Sequence, residues 1–162
     1  MIRKKKVMFE EDLHDVFYRY PYLIINEPNS IIETIHEYEL DSNSILDIYI
    51  ETKTKKIYCE VKITKLKEKD LYQALRYLNA IHNNIEENEK KDIVVILIGM
   101  KSSNNLRETA NRRGIKIMVI SNEIPDSIKI CKKCRKAYNS RFLKCSFCDS
   151  TEIFEIITLK YP

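Results

Sequence analysis

Apolar residues near the start of the chain recur at steps of three and four: Phe9, Leu13, Val16, Phe17 and Tyr20, with Pro21 closing the run. That spacing places them on one face of a helix, so a short amphipathic opening helix is predicted. Its stripe leaves Glu10 and Asp12 on the flanks and Glu11 on the opposite face. The period then changes. Three strand-like segments follow, at about 31–40, 45–51 and 56–63, separated by the polar stretches Asp41 to Ser44 and Thr52 to Lys56. Links this short favour antiparallel neighbours, hence a meander.

Residues 66–85 read as a long helix with Leu71, Ala74, Leu75, Leu78 and His82 on one side. The run from Asp92 to Gly99 is apolar on both faces, as a buried central strand is. A polar helix over 104–113 stops at Gly114, and 115–120 supply a last core strand. A meander followed by a β-α-β crossover predicts an α/β fold, a mixed β-sheet flanked by helices. Residues 122–126 (Asn-Glu-Ile-Pro-Asp) break the pattern, dividing the chain into units of 1–124 and 125–162.

Beyond that break the composition shifts. Cys131-Lys-Lys-Cys134 and Cys145-Ser-Phe-Cys148 are two C-x-x-C pairs separated by ten residues. Each pair can clamp one side of a tetrahedral ion, and four thiolates select zinc or, less often, iron. Disulfides are the rival reading. No apolar leader follows the basic start Met1-Ile-Arg-Lys-Lys-Lys, however, and a fifth cysteine, Cys59, would be left over. A structural Zn²⁺ on Cys131, Cys134, Cys145 and Cys148 is therefore expected in a small C-terminal zinc ribbon. Arg135 and Asp149 stand where each knuckle often has a glycine.

The 162 residues allow one ordinary domain plus a small appendage. A content of 44% hydrophobic and 32% charged residues describes a globular chain with a real core. The longest apolar run, 93–98, is too short to span a bilayer, so a cytoplasmic protein without a membrane partner is expected. The net charge of +4 is mild but unevenly placed. Arg3 to Lys6 is a basic stretch, and from Ser127 on eight Lys/Arg face three Asp/Glu. Such patches suit a phosphate backbone, with Lys132, Lys133, Arg135 and Lys136 as candidate DNA contacts. A merely solvated surface is the alternative, and for the ribbon both DNA contact and plain support stay open.

The candidate chemistry lies in the meander. Alternation puts Glu60 and Lys62 on one face of their strand, with Cys59, Val61 and Ile63 on the other. On the preceding strand Leu46, Ile48 and Ile50 share a face, leaving Asp47 with Tyr49. Pairing through the turn at 52–56 can bring Asp47 beside Glu60. Two carboxylates and a backbone carbonyl can hold Mg²⁺ or Mn²⁺. That ion would activate water and polarise a phosphodiester, while Lys62 orients the water or neutralises developing charge. A solvent-facing Glu-x-Lys strand is the bland alternative. Against it, Gln73 and Tyr77 share a face of the next helix, and Glu10 can reach the same ion from the first.

In this order, Glu10-Glu-Asp-Leu13, Tyr20-Pro-Tyr-Leu23, Leu46-Asp-Ile-Tyr49, Ile57-Tyr-Cys-Glu60-Val-Lys62 and Tyr72-Gln-Ala-Leu-Arg-Tyr77 resemble the PD-(D/E)XK nuclease superfamily. More narrowly they resemble the nuclease domain of archaeal NucS (EndoMS) endonucleases and their RecB-like relatives, over about residues 8–120. The resemblance implies a restriction-endonuclease-like fold and Mg²⁺-dependent DNA cleavage, often at branched, single-stranded or mismatched sites, commonly by a homodimer in DNA repair. It implies Asp47 and Glu60 as metal ligands, Lys62 as catalytic lysine, Glu10 as the helix-one acid, and Gln73 with Tyr77 as the Q-x-x-x-Y motif. Arg76 stands where a basic residue can serve phosphate. The N-terminal DNA-binding domain of NucS is missing, and the glycine usual before the aspartate is absent. A non-catalytic DNA-binding scaffold and a nuclease subunit of a larger repair or defence complex are the other readings.

His14, His36 and His82 fall on separate elements with no partner at useful spacing, and His82 is expected in the core. Cys59 is expected to be small and buried. Tyr49, Tyr72 and Tyr77 are candidates for stacking on bases. No G-x-x-x-x-G-K-S/T loop occurs, so no nucleotide cofactor is expected.

Overall fold

In the computed structural model, which describes residues 1–25, 27 and 30–159, the chain runs β1 (Arg3–Lys6), α1 (Glu10–Arg19), α2 (Tyr22–Ile25), β2 (Ile31–Asp41), β3 (Ser44–Thr52), β4 (Lys55–Val61), α3 (Glu68–Asn84), β5 (Asp92–Gly99), α4 (Asn104–Arg112), β6 (Ile115–Val119), β7 (Ser127–Cys131), β8 (Ala137–Asn139) and β9 (Ile153–Thr158). Five strands form the main sheet in the order β2-β3-β4-β5-β6. The first three are antiparallel neighbours, while β5 and β6 add in parallel through crossovers that carry α3 and α4. This is the mixed α/β sheet that the patterning predicts. Among the described residues no helix is long and apolar enough to cross a membrane.

The sheet is buried on both faces. Leu71, Ala74, Tyr77 and Ile81 of α3 and Leu106 and Ala110 of α4 cover one side, meeting Leu46, Tyr49, Tyr58, Val95, Leu97 and Ile117. His82 is exposed, contrary to the expectation of a core position. The buried stripe of α3 passes through Tyr77 and Ile81, and this turns His82 out to solvent. On the other side Leu13, Val16 and Phe17 of α1 pack on Ile48, Ile50, Cys59, Val61, Ile96 and Ile98.

That second layer continues without a break into the C-terminal segment, where Ile124, Ile128, Ile130, Ala137 and Ile157 belong to the same core. The basic stretch Arg3–Lys6 is a strand there. It pairs in parallel with β9 at one edge of a second sheet, ordered β1-β9-β7-β8. Val7, fully buried, donates its amide to Thr158 O at 2.9 Å and fixes that edge to the core. The two basic segments, at opposite ends of the sequence, thus share one sheet.

Polar side chains set the element ends. Asp12 Oδ2 accepts from the amides of Met8 and Phe9, Asp70 Oδ2 from that of Lys67, and Ser103 Oγ from that of Leu106, so the starts of α1, α3 and α4 are capped. Helix α4 stops at Gly114, whose φ of +81° is a conformation glycine adopts freely. At Gly99, the end of β5, an added Cβ would lie 2.4 Å from Leu66 Cγ. Leu66 is itself buried and leads into α3. Gly99→Ala should therefore destabilise the fold by about 1–3 kcal/mol, read from a urea titration; an unchanged midpoint would show that Leu66 can move aside.

Candidate active site and metal centre

Pairing of β3 with β4 ends at Ile48 and Cys59. Just beyond it, alternation on β3 is broken. Leu46 packs on the α3 side, while Ile48 and Ile50 lie on the α1 side, although strict period two would keep all three together. Asp47 sits at this break. Its Oδ2 accepts the amide of Val61 at 2.6 Å, taking the place of a strand partner where the two strands part. The freed end of β3 is held from the other side, where Tyr77 Oη donates to the carbonyl of Ile45 at 3.2 Å and itself accepts from Gln73 Nε2 at 2.8 Å.

Four predicted residues meet at this opening. Lys62 Nζ lies 2.8 Å from Glu60 Oε1 and 3.9 Å from Glu10 Oε1. Glu10 Oε2 accepts the amide of Ile63 at 3.0 Å, tying α1 to the strand end. Glu60 is 3% exposed, and its Oε2 is buried without a hydrogen-bond partner. An unpaired buried carboxylate oxygen is costly unless something cationic or protonic satisfies it.

The titration follows from this burial. Desolvation pushes the Asp47 carboxyl up to about 6, against the opposing pull of the Val61 amide and Lys62. Desolvation and then the charge of Asp47 push Glu60 up to about 7. Burial alone would lower Lys62, but its bond to Glu60 holds it above the usual lysine value.

The remaining predicted residues divide into two groups. Gln73 and Tyr77 bond to each other and to the backbone, so here they brace β3. Tyr77 and Tyr49 are both buried, and Tyr49 stacks on Tyr38 at 4.5 Å. Neither is free to receive a base, because the α3 face of the sheet needs their rings for its core; Tyr72 alone of the three is exposed. Arg76 is exposed on α3. Lys132, Lys133, Arg135 and Lys136 all lie on the first cysteine knuckle. Cys59 is fully buried, and burial pushes its thiol far up, so it is an unreactive core residue.

Sequence spacing missed His14. From α1 its Nε2 comes within 3.4 Å of Asp47 Oδ2, without hydrogen-bond geometry, and its ring meets that of His36 edge-on at 5.9 Å. Burial lowers its pKa, so it is held neutral. Three elements far apart in sequence build this contact, and no local pattern announces it. The i, i+4 relation of His14 to Glu10 was its only trace.

The four cysteines form a second centre. Their Sγ atoms lie within 4.8 Å of one another, with Cys131–Cys148 and Cys134–Cys145 each at 3.6 Å. A tetrahedral ion with Zn–S bonds of about 2.3 Å puts sulfurs about 3.8 Å apart, so the cluster fits a structural zinc. All five cysteines are free thiols. Arg135 and Asp149, the residues in the glycine positions, adopt φ of 61° and 57°. Both knuckles therefore take the left-handed turn that glycine would favour, and accept its cost. Arg135 is held there by stacking on Phe154 at 4.2 Å.

No protein-family model matches the chain and no curated protein matches it. Solved structures do. A repair endonuclease from Pyrococcus abyssi superposes with a TM-score of 0.56 at 16% identity, over 70% of this chain and 47% of that one. EndoMS in complex with dsDNA gives 0.55 at 14% identity, over 68% and 44%. The fold is that of the EndoMS-type repair endonucleases. The apo form of EndoMS gives 0.50 at 12% identity, over 70% and 47%. This chain spans less than half the length of each of these three structures.

Two outcomes are expected. Metal analysis should return a single zinc per chain, lost in a Cys145→Ser, Cys148→Ser double variant; zinc retained there would place the metal elsewhere. The second concerns pH. Asp47 and Glu60 ionise at higher pH in the fold than in an unfolded chain, where carboxyls titrate near about 4. Their stabilisation is full below that value and is lost as pH rises through about 6 and about 7. The melting temperature of the zinc-loaded protein without other divalent ions should therefore fall across this window. Glu60→Gln should flatten the fall, and an equal slope in the variant would refute the assignment.

Proposed function

We propose that the protein is a Mg²⁺-dependent DNA endonuclease that hydrolyses phosphodiester bonds in branched, mismatched or single-stranded DNA, working as a homodimer. The observation that carries this reading is the buried, unpartnered Glu60 Oε2 beside Asp47 and Lys62, at a point where the sheet opens. An acidic pair of this kind, with two raised carboxyl pKa values, is suited to exchanging protons for a divalent cation.

Asp47 and Glu60 would hold that cation, Mg²⁺ or Mn²⁺, with Glu10 alongside; one or two carboxylates plus water and substrate oxygens satisfy such an ion. When bound, it would supply Lewis acidity to the phosphodiester. The other steps belong to the chain. Lys62, released from Glu60, would present its ammonium to the attacking water and to the charge growing on the phosphorus oxygens. The Val61 and Ile63 amides keep Asp47 and Glu10 aimed at one point, and Gln73 with Tyr77 hold β3 apart from β4. Arg76, exposed on α3, would meet the phosphate backbone. In this scheme residues 1–124 cut, and residues 125–162, with β1 attached, hold the strand. DNA as the partner is supported by the EndoMS complex with dsDNA.

The test is cleavage of labelled single-stranded, duplex, mismatched and four-way-junction DNA with Mg²⁺, Mn²⁺ or no added divalent cation. Asp47→Ala and Lys62→Ala should each lower the rate by at least about a hundredfold. Binding without cutting, unchanged in both variants, would leave the non-catalytic scaffold as the better account. Because the chain spans under half of the EndoMS-type structures, cutting only on addition of a companion protein would instead identify a nuclease subunit.

A further inference from the structure

The cysteine ribbon carries a surface that the carboxylate site does not use. Between Ser127 and Cys148 there are seven Lys/Arg and no Asp or Glu: Lys129, Lys132, Lys133, Arg135, Lys136, Arg141 and Lys144. A zinc tetrathiolate offsets only part of that charge. Within this basic span three large apolar side chains stand in solvent, Phe142 at 54%, Leu143 at 85% and Phe147 at 38% exposure.

Phe142 is held out and not merely loose. Its amide donates to Asn139 O at 3.1 Å, the neighbouring Arg141 amide donates to Asn139 Oδ1 at 3.0 Å, and Lys129 Nζ donates to the Phe142 carbonyl at 3.0 Å. Three hydrogen bonds thus fix the turn while Phe142 stays 54% exposed. Phe147 differs, since Tyr22 meets its ring edge-on at 5.4 Å and Lys136 Nζ lies 4.9 Å above it. It anchors the ribbon to α2, while Phe142 and Leu143 face outward.

We propose that the loop carrying Phe142 and Leu143 is a stacking platform for an unpaired polynucleotide segment. The phosphates of that segment lie against Arg141, Lys144 and the first knuckle. Charge complementarity selects a polyanion, and a fixed, uncovered aromatic ring within the basic patch selects one whose bases are unstacked. A duplex keeps its bases paired and offers only phosphates, so it gains nothing from Phe142. This deepens the nuclease reading by naming the substrate feature held, a strand with unpaired bases, yet it requires no cleavage.

The experiment is fluorescence anisotropy of the zinc-loaded full chain with labelled oligo-dT, oligo-U and a duplex of equal length, without Mg²⁺ or Mn²⁺. Phe142→Ala should weaken binding of the unpaired oligomers about five- to hundredfold, leave the duplex unchanged, and be rescued by Phe142→Tyr. Zinc content and melting temperature should not move, because the ring is exposed. Arg141→Ala with Lys144→Ala should weaken all three ligands and lower the salt dependence. Loss on oligo-dT, on oligo-U or on both tells which sugar the platform accepts. Unpaired oligomers bound as tightly by Phe142→Ala as by the native chain, or duplex weakened equally, would overturn the proposal; so would failure of any polynucleotide to bind, pointing to a protein partner at the tip. This binding assay uses no divalent cation and reads no cleavage, so loss of cutting and loss of this platform are separable.

Discussion

Two carboxylates, Glu60 buried and Asp47 partly buried, are the constraint around which the site is arranged. Asp47 and Glu60 each lose hydration, Glu60 also feels the charge of Asp47, and Asp47 that of Glu10. Left alone, that arrangement would unfold or stay protonated. The Val61 amide, the Ile63 amide on Glu10 and the Lys62 ammonium each relieve part of the cost, and each comes from the last turn of backbone in or after β4. One oxygen, Glu60 Oε2, is left without relief. On the proposed reading that atom gives the site a preference for a cation, and the lysine beside it would step aside.

That preference can exist only because the sheet opens in one place and is rigid elsewhere. Strands β4 and β5 pair in register from Lys55 with Asp92 to Val61 with Ile98, and Lys62 N continues the ladder to Ile98 O at 2.8 Å. The lysine and glutamate are therefore carried on a fixed central strand, while the parting falls wholly on the β3 side. Tyr77 and Gln73 keep the parted strand from drifting, with the α3 core behind them. The α1 side is stiffened differently. Its core extends through Ile128, Ile130 and Ile157 into the ribbon sheet, so the cysteine-bearing segment supports the same helix that delivers Glu10 and His14.

How much of this the sequence disclosed depends on distance along the chain. The opening helix, the three-stranded meander, α3 and the β5-α4-β6 crossover were legible because each rests on local period and short turns. The cysteine centre was legible because tetrahedral thiolate chemistry tolerates few other readings of two C-x-x-C pairs. What stayed hidden was non-local. Nothing in Arg3–Lys6 says that it pairs with a strand some 150 residues later. His14 lies near Asp47 only because α1 crosses the break in β3. Tyr49 and Tyr77 are candidates for base stacking by sequence because aromatic residues near polar ones give the same pattern whether they face solvent or a helix. Tyr72 stays exposed on α3, and a further exposed aromatic, Phe142, lies in the ribbon loop.

The two departures from the usual knuckle, Arg135 and Asp149, show how local strain and surface chemistry are traded. A left-handed φ costs a non-glycine residue about 1 kcal/mol or more. Asp149 bears it more easily, since short polar side chains visit that region. Arg135 has no such excuse in its backbone. Its guanidinium, however, stacks on Phe154, and Arg3 from β1 approaches the same ring at 5.5 Å. A glycine would relax the turn and remove the charge that joins the knuckle to the basic edge strand. The sequence keeps the strained arginine, consistent with a ribbon whose cationic surface matters as much as its metal.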